Sequence, residues 1–415
     1  MTLLARLWHR IQSACWPYKT TSPILSRRQH GLNRNDIDAN ALKVLYRLHL
    51  SGHPAYLVGG GVRDLLLGLR PKDFDVVTDV PPDQLHQLFS NSRLIGRRFR
   101  LLHVYFGREV IELSTFRSSD GGENCYGTLQ EDVFRRDFTI NALYYNIADY
   151  SIVDDVGGLA DLKRRVIRII GDPVVRYQED PVRLLRAMRF AAKLNFKIEA
   201  ATAEPLPELA YLLTSIPTAR LFDEFLKLFF TGHAKATYQQ LKRYGYVDSF
   251  FPGVSALLQA EKESMGLLNL ALEATDVRFA DGRSLNPGFL LSVFLWPQLM
   301  SRLTEALHEK KYFYHALRYA MDQLFLDQQA VLAIPRRFTG MMRSVWLMQY
   351  HLTRRRPSRI LATYQQRYFR AAIDLLGLRV EAGEPYGEDY TWWRTFQAAD
   401  QAGRETMRQA LKKKE

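Results

Sequence analysis

The sequence predicts an α+β protein, with a small mixed sheet in an amino-terminal head and an all-helical neck, body and tail behind it. Three observations carry this reading. Short apolar runs bounded by glycine or polar residues, at 55–58, 74–77, 101–106, 110–116 and 167–170, read as strands. Beyond Gly171 such runs largely vanish, and helical periodicity takes over at 182–194, 219–230 and 238–244. Pro252, Pro287, Pro297, Pro335 and Pro357 punctuate the rest of the chain. The expected division is a basic arm at 1–35, a sheet-bearing head at 36–170, a helical neck at 171–255, and a helical body and tail at 256–415.

Within the head, Ile37, Ala41, Leu42, Leu45 and Leu48 suit an amphipathic helix, capped by Asn35 or Asp36. The strand at 55–58 runs into Gly59-Gly60-Gly61 and a helix that stops at Gly68. A helix with proline at its start covers 81–89. The strands at 101–106 and 110–116 form a hairpin turning at Gly107, and polar, glycine-rich 118–124 is a loop.

At 415 residues the chain can bury several cores. Hydrophobic residues are 47% and charged residues 24%, which excludes a disordered or fibrous chain. Lys plus Arg is 57 against 44 Asp plus Glu, a net +13, favouring a polyanionic partner. The two cysteines, Cys15 and Cys125, exclude a disulfide scaffold and point to a reducing compartment. No apolar run approaches the ~20 residues that span a bilayer.

The start of the chain has no acid before Asp36, and Leu3, Leu4, Leu7, Trp8 and Ile11 share a helical face. Such a segment could touch a membrane surface or act as a transit peptide. A weakly ordered basic arm is the preferred reading. A second acid-free interval runs from Asp327 to Asp374 and includes Arg336, Arg337, Arg354, Arg355 and Arg356, with Trp346, Tyr350, Tyr364, Tyr368 and Phe369 interleaved. Arginines pair with phosphates and aromatic rings stack on unpaired bases, so this interval is the candidate surface for a single-stranded nucleic acid. Core packing is an equal reading for the aromatics.

The chemistry concentrates between residues 57 and 194. Consecutive glycines between a strand and a helix allow close approach of a phosphate. Asp73 and Asp75, two apart at a strand mouth, should project from one face, and two such carboxylates call for a cation. Magnesium suits oxygen ligands shared with substrate phosphates. Glu112, centred in the run Val110-Ile111-Glu112-Leu113, would be costly if buried unpaired and is the third candidate ligand. Asp137, behind Arg135 and Arg136, is a further active-site acid or an orienting group.

Taken in order, Gly59-Gly60-Gly61-Val62-Arg63-Asp64, Lys72-Asp73-Phe74-Asp75, Val110 to Arg117, Arg135 to Leu143 and Glu179 to Leu194 resemble the motifs of the nucleotidyltransferase superfamily. The resemblance is closer to its class II branch, the bacterial poly(A) polymerases and tRNA CCA-adding enzymes. The stretch 94–104, with Arg97-Arg98-Phe99, is similar to the one that marks the bacterial poly(A) polymerases. The resemblance implies a catalytic set of Asp73, Asp75, Glu112 and Asp137, with Asp73, Asp75 and Glu112 holding two Mg²⁺ ions. It implies triphosphate contacts from Gly59, Gly60 and Arg63, and nucleotide contacts from Arg136, Asn141, Asp180, Arg183 and Arg186. The spacing of Asp180, Arg183 and Arg186 places Asp180, Arg183 and at least part of Arg186 on one helix face; an intrahelical salt bridge is the plain alternative, and the two are compatible.

The expected activity is template-independent addition of AMP from ATP to RNA 3′ ends, with pyrophosphate released. A tRNA CCA-adding enzyme is the first alternative, and a catalytically inactive RNA-binding protein the second. No His-Asp dipeptide occurs, so an appended HD-type phosphohydrolase is not expected. The expected setting is a cytoplasmic monomer, with peripheral contact at the inner membrane and RNA-decay or RNA-chaperone proteins left open as partners.

Overall fold

The computed structural model describes residues 24–96, 100–118, 125–309 and 312–412. The expectations for residues 1–23, for 97–99, for 119–124 and for the terminal lysines 413–414 lie outside the described residues. Two compact units emerge, one running to Arg183 and including Leu194–Pro205, the other comprising Leu184–Lys193 and Leu206 onward.

In the first unit, α1 (Ala39–Leu50) is capped by Asp38, whose carboxylate accepts the N–H groups of Asn40 and Ala41. Residues 34–36 form a 3₁₀ turn, so the cap falls two or three residues later than expected. Strand β1 (Ala55–Val58) leads into α2 (Gly60–Leu66) and β2 (Asp75–Thr78). After α3 (Pro82–Leu88) come β3 (Ser92–Ile95), β4 (Leu101–Phe106) and β5 (Glu109–Thr115). Helix α4 (Leu129–Arg135) starts in a Thr128–Glu131 capping box and is followed by β6 (Tyr144–Asn146), β7 (Ile152–Val153) and α5 (Gly158–Arg164).

The seven strands lie in the order β3-β4-β5-β2-β1-β6-β7. Only β2 and β5 pair in parallel; the other pairs are antiparallel, so the sheet is mixed as expected. Helices α1 and α3 lie on the sheet, and Leu57, Val76, Leu102, Ile111 and Leu113 are buried. The opposite face holds Val58, Val77, Phe116, Val133, Tyr144 and Val156 in one apolar cluster. The alternation along each strand assigns the strand residues among these to two faces.

The run at 167–170 is only partly a strand. Val166–Ile167 (β8) pairs in parallel with Lys197–Ile198 (β9), while Ile169 bridges to Phe138. The first unit therefore continues past the boundary expected at 170. Helix α6 (Pro173–Glu179) is tied to it by Arg176, which donates to the carbonyls of Arg135 and Arg136, and by the Tyr177 hydroxyl, which donates to Thr202. The division between units runs through α7 (Val182–Leu194).

The second unit is helical. Phe225, in α8 (Thr218–Phe229), is enclosed by Phe229, Phe251 and Phe294 at ring distances of 4.9, 5.8 and 6.1 Å. Trp346, in α9 (Arg336–Leu352), and Trp393, in α10 (Gly387–Ala398), are fully buried. Their indole N–H groups donate to Ser292 and Leu352, as a buried indole requires. Trp346 and Phe369 are therefore core residues. No helix among the described residues is long and apolar enough to cross a membrane.

Gly158 sits so close to the Thr139 backbone that a Cβ would lie 2.2 Å from its carbonyl oxygen. Gly158→Ala is expected to destabilise the first unit by about 1–3 kcal/mol, because two backbones must part to admit one methyl group. Thermal denaturation with an unchanged midpoint would refute that close packing.

Candidate active site

Strand register assembles the acids. Asp75 is the partner of Glu112 across the parallel β2–β5 pair, and Glu112 is the partner of His103 across β5–β4. Residues opposed in this way point to the same face. The row continues through Val58 and Tyr144, so its β1–β6 end is dry and its β4–β5 end, with Glu112 exposed, is wet. Asp75 sits at the transition. Burial pushes its carboxyl up to about 6, Glu112 pushes the same way, Arg136 partly offsets this, and Asp73 adds to it. Asp73 lies two residues before the strand, outside it, so strand alternation does not place it; its charge nonetheless reaches Asp75.

This crowding is the donor set a hard cation would relieve. Among the described residues no three His, Cys, Asp or Glu side chains converge closely enough to hold an ion alone. The residues fit an ion that completes its shell with substrate oxygens, as magnesium does. The His103 Nε2 lies 4.0 Å from Glu112, a neighbour that sequence reasoning missed because it depends on hairpin register.

The glycine turn lies against these acids. Gly59 has φ +74° and ψ −133°, a conformation open only to glycine. A Cβ at Gly59 would sit 3.6 Å from Nη1 of Arg136, and one at Gly61 would sit 3.4 Å from the Asp73 carbonyl. Arg63 departs from the expected open phosphate contact. It is 3% exposed, donating from Nε and Nη2 to Asp64 and from Nη1 to Asn141, with Nη2 beneath Gly60. It braces the turn from within. Arg136 does keep an open side, with about a quarter of its side chain exposed (24%).

Asp137 accepts the Phe138 N–H and an Asn141 N–H, which makes it an orienting group for Asn141. Asp180 follows the end of α6, and its backbone carbonyl accepts from Arg183. The helix breaks there, so Asp180 and Arg183 do not share one continuous helix face. Arg183 donates to Glu179 and to the Arg176 carbonyl, so its salt bridge reaches across the break from α7 to α6 and is not intrahelical. Arg186 falls in the second unit, over the Phe190 ring.

Of the candidate RNA-binding arginines, Arg336, Arg337, Arg354 and Arg356 line the surface of the second unit. Arg354 lies 4.3 Å above the Tyr350 ring, which itself stacks on Phe313 at 4.7 Å. Arg355 differs: its Nε pairs with Asp389 at 2.5 Å, and about a quarter of its side chain (26%) is exposed.

Three family models match the chain. One describes the Poly A polymerase head domain, over residues 55–168. The others describe a probable RNA and SrmB-binding site of polymerase A, over 195–258, and a polymerase A arginine-rich C-terminus, over 309–415. Poly(A) polymerase I of Salmonella typhi is 45% identical over 411 residues, spanning 94% of this chain and 88% of that protein. The chain belongs to the poly(A) polymerase family. The CCA-adding enzyme of Lactobacillus helveticus is 37% identical, over only 49% of this chain and 53% of its own. Among solved structures, the Bacillus stearothermophilus CCA-adding enzyme in complex with CTP superposes with a TM-score of 0.60 at 25% identity, covering 86% of this chain and 82% of its own.

Because ionised Asp75 is opposed by burial and by Glu112, Asp75→Asn is expected to raise the melting temperature in metal-free buffer near neutral pH. The gain should shrink as pH falls through about 6, as the folded carboxyl protonates. It should be gone below about 4, where both folded and unfolded chains carry the proton. A lower melting temperature at neutral pH would overturn this account of the pair.

Proposed function

We propose that the chain adds AMP from ATP to RNA 3′ ends without a template and releases pyrophosphate. The observation that carries this is the in-register Asp75–Glu112 pair lying beside a glycine turn and Arg136, in a chain of the poly(A) polymerase family. The glycine turn brings backbone close to the triphosphate, and Arg136 presents a fixed cation to its oxygens. Held this way, the α-phosphorus faces the primer hydroxyl in line with the leaving pyrophosphate. One phosphodiester bond forms, the α–β anhydride bond breaks, and the hydroxyl proton is released. Asp73, Asp75 and Glu112 are the residues that would hold magnesium, which when bound supplies positive charge to activate the hydroxyl and to stabilise the departing pyrophosphate. Asn141, fixed between Arg63 and Asp137, and Asp180 with Arg183 are assigned to the incoming nucleotide. Arg336, Arg337, Arg354 and Arg356 are assigned to the RNA backbone, and the Arg354–Tyr350 surface to stacking.

The matches to CCA-adding enzymes favour one second reading, CTP and ATP addition to tRNA, over about half of the chain. An unstructured RNA primer, and a tRNA lacking its terminal CCA, incubated with each nucleoside triphosphate separately, decide between them. Extension of the primer by ATP alone is expected, and CTP addition to the tRNA would overturn the proposal.

Asp75→Ala is expected to remove AMP incorporation by at least about a thousandfold while circular dichroism stays unchanged. Retained turnover would remove Asp75 from the metal set. Neutralising Arg336, Arg337, Arg354 and Arg356 together should weaken primer binding and flatten its salt dependence by about one unit of slope per lost phosphate contact. Arg355→Ala should instead lower thermal stability and leave that slope alone, because its charge is spent on Asp389.

A further inference from the structure

Arg136 does not hold its position through the backbone alone. Its Nε donates to the Tyr144 hydroxyl at 2.6 Å, and its Nη2 donates to Oδ2 of Asp132 at 2.9 Å. The same Tyr144 hydroxyl donates to the same Oδ2 at 2.7 Å, closing a three-membered ring of hydrogen bonds. The other Asp132 oxygen accepts the Arg117 N–H, so this carboxylate is anchored on both sides. Tyr144 is fully buried and Asp132 is 6% exposed. The Nη1 group, which takes no part in the ring, lies toward Gly59.

We infer that Tyr144 and Asp132 are positioning residues for the triphosphate: together they clamp Arg136 so that Nη1 stands fixed beside the glycine turn where phosphate oxygens arrive. This rests on the assignment of Arg136 to the nucleotide. A free arginine would lose rotamer freedom when it met a phosphate, whereas the clamped one has lost that freedom on folding. The tyrosine hydroxyl is suited to the task because it accepts from the guanidinium and donates to the carboxylate at once. Phenylalanine fills the same space and does neither. Burial opposes the guanidinium charge, but Tyr144 and Asp132 outweigh it and hold Arg136 more firmly protonated than an ordinary arginine.

The test uses the full chain with saturating primer and measures KM and kcat for ATP, together with Ki for inorganic tripolyphosphate competing with ATP. Tyr144→Phe is expected to raise both KM and Ki about tenfold, the worth of one charged hydrogen bond, with kcat within about threefold. Arg136→Ala should raise both by more. Adding Tyr144→Phe to Arg136→Ala should cost nothing further, since the hydroxyl acts only through the guanidinium. Additive effects, or a Tyr144→Phe variant that melts earlier with unaltered KM and Ki, would reduce the ring to a structural feature and overturn the inference. An Arg136→Ala variant with unaltered KM and Ki would instead show that Arg136 does not meet phosphate, and the inference would fall with that assignment. Should Tyr144→Phe not fold, Asp132→Asn, which keeps the shape and loses the charge, must show the same joint rise in KM and Ki.

Discussion

Everything in the head depends on one electrostatic constraint, the forced proximity of Asp75 and Glu112. Their separation is set by the spacing of two hydrogen-bonded strands, and the register leaves neither side chain free to face the other way. Bulk water would screen such a pair, but the buried Val58–Tyr144 end of the same row leaves Asp75 only partly exposed. The fold thus keeps a charge conflict in place instead of relaxing it. Arg136 offsets it only in part.

Around that conflict the remaining groups divide their work. Arg63, buried under Gly60, stiffens the turn; Asp137 and Asn141 extend the brace toward the start of β6. Arg176 ties α6 to the carbonyls of Arg135 and Arg136, carrying the rigidity one element further. Burial first, and the nearby Arg183 charge second, bring its guanidinium down to about 10 against the opposing pull of Glu179, a sign of how dry that junction is. Charged side chains here are mostly scaffold.

Much of this was legible in the amino acids. Strand positions at 55–58 and 101–106 can be read directly because short apolar runs and flanking glycines mark them, and Asp75 and Glu112 stand out in the sequence as candidate acids. What local pattern could not supply was register. His103 beside Glu112, and Tyr144 beside Arg136, are neighbours only through cross-strand pairing and a chain reversal, which carry no periodic signal. Asp132 was available in principle, four residues before Arg136 and so on the same side of a helix end. The role of Arg63 escaped for the opposite reason: a family motif names the residue, but only packing shows that its guanidinium is turned inward. The same holds for Arg355, whose partner Asp389 lies far along the chain. Short strands such as β6 and β7 escaped because three or two residues hold too little pattern to be seen.

The lone parallel pairing in an otherwise antiparallel sheet has a consequence for biogenesis. β2 emerges from the ribosome before β5, so the parallel pair must wait for the chain of β3 and β4 that lies between them in sequence. A nascent or truncated chain ending before β5 therefore presents the glycine turn and Asp75 without its cross-strand partner Glu112. The like charges are brought together by this pairing while β6, whose Tyr144 dries the far end of the row, is still to follow in the chain.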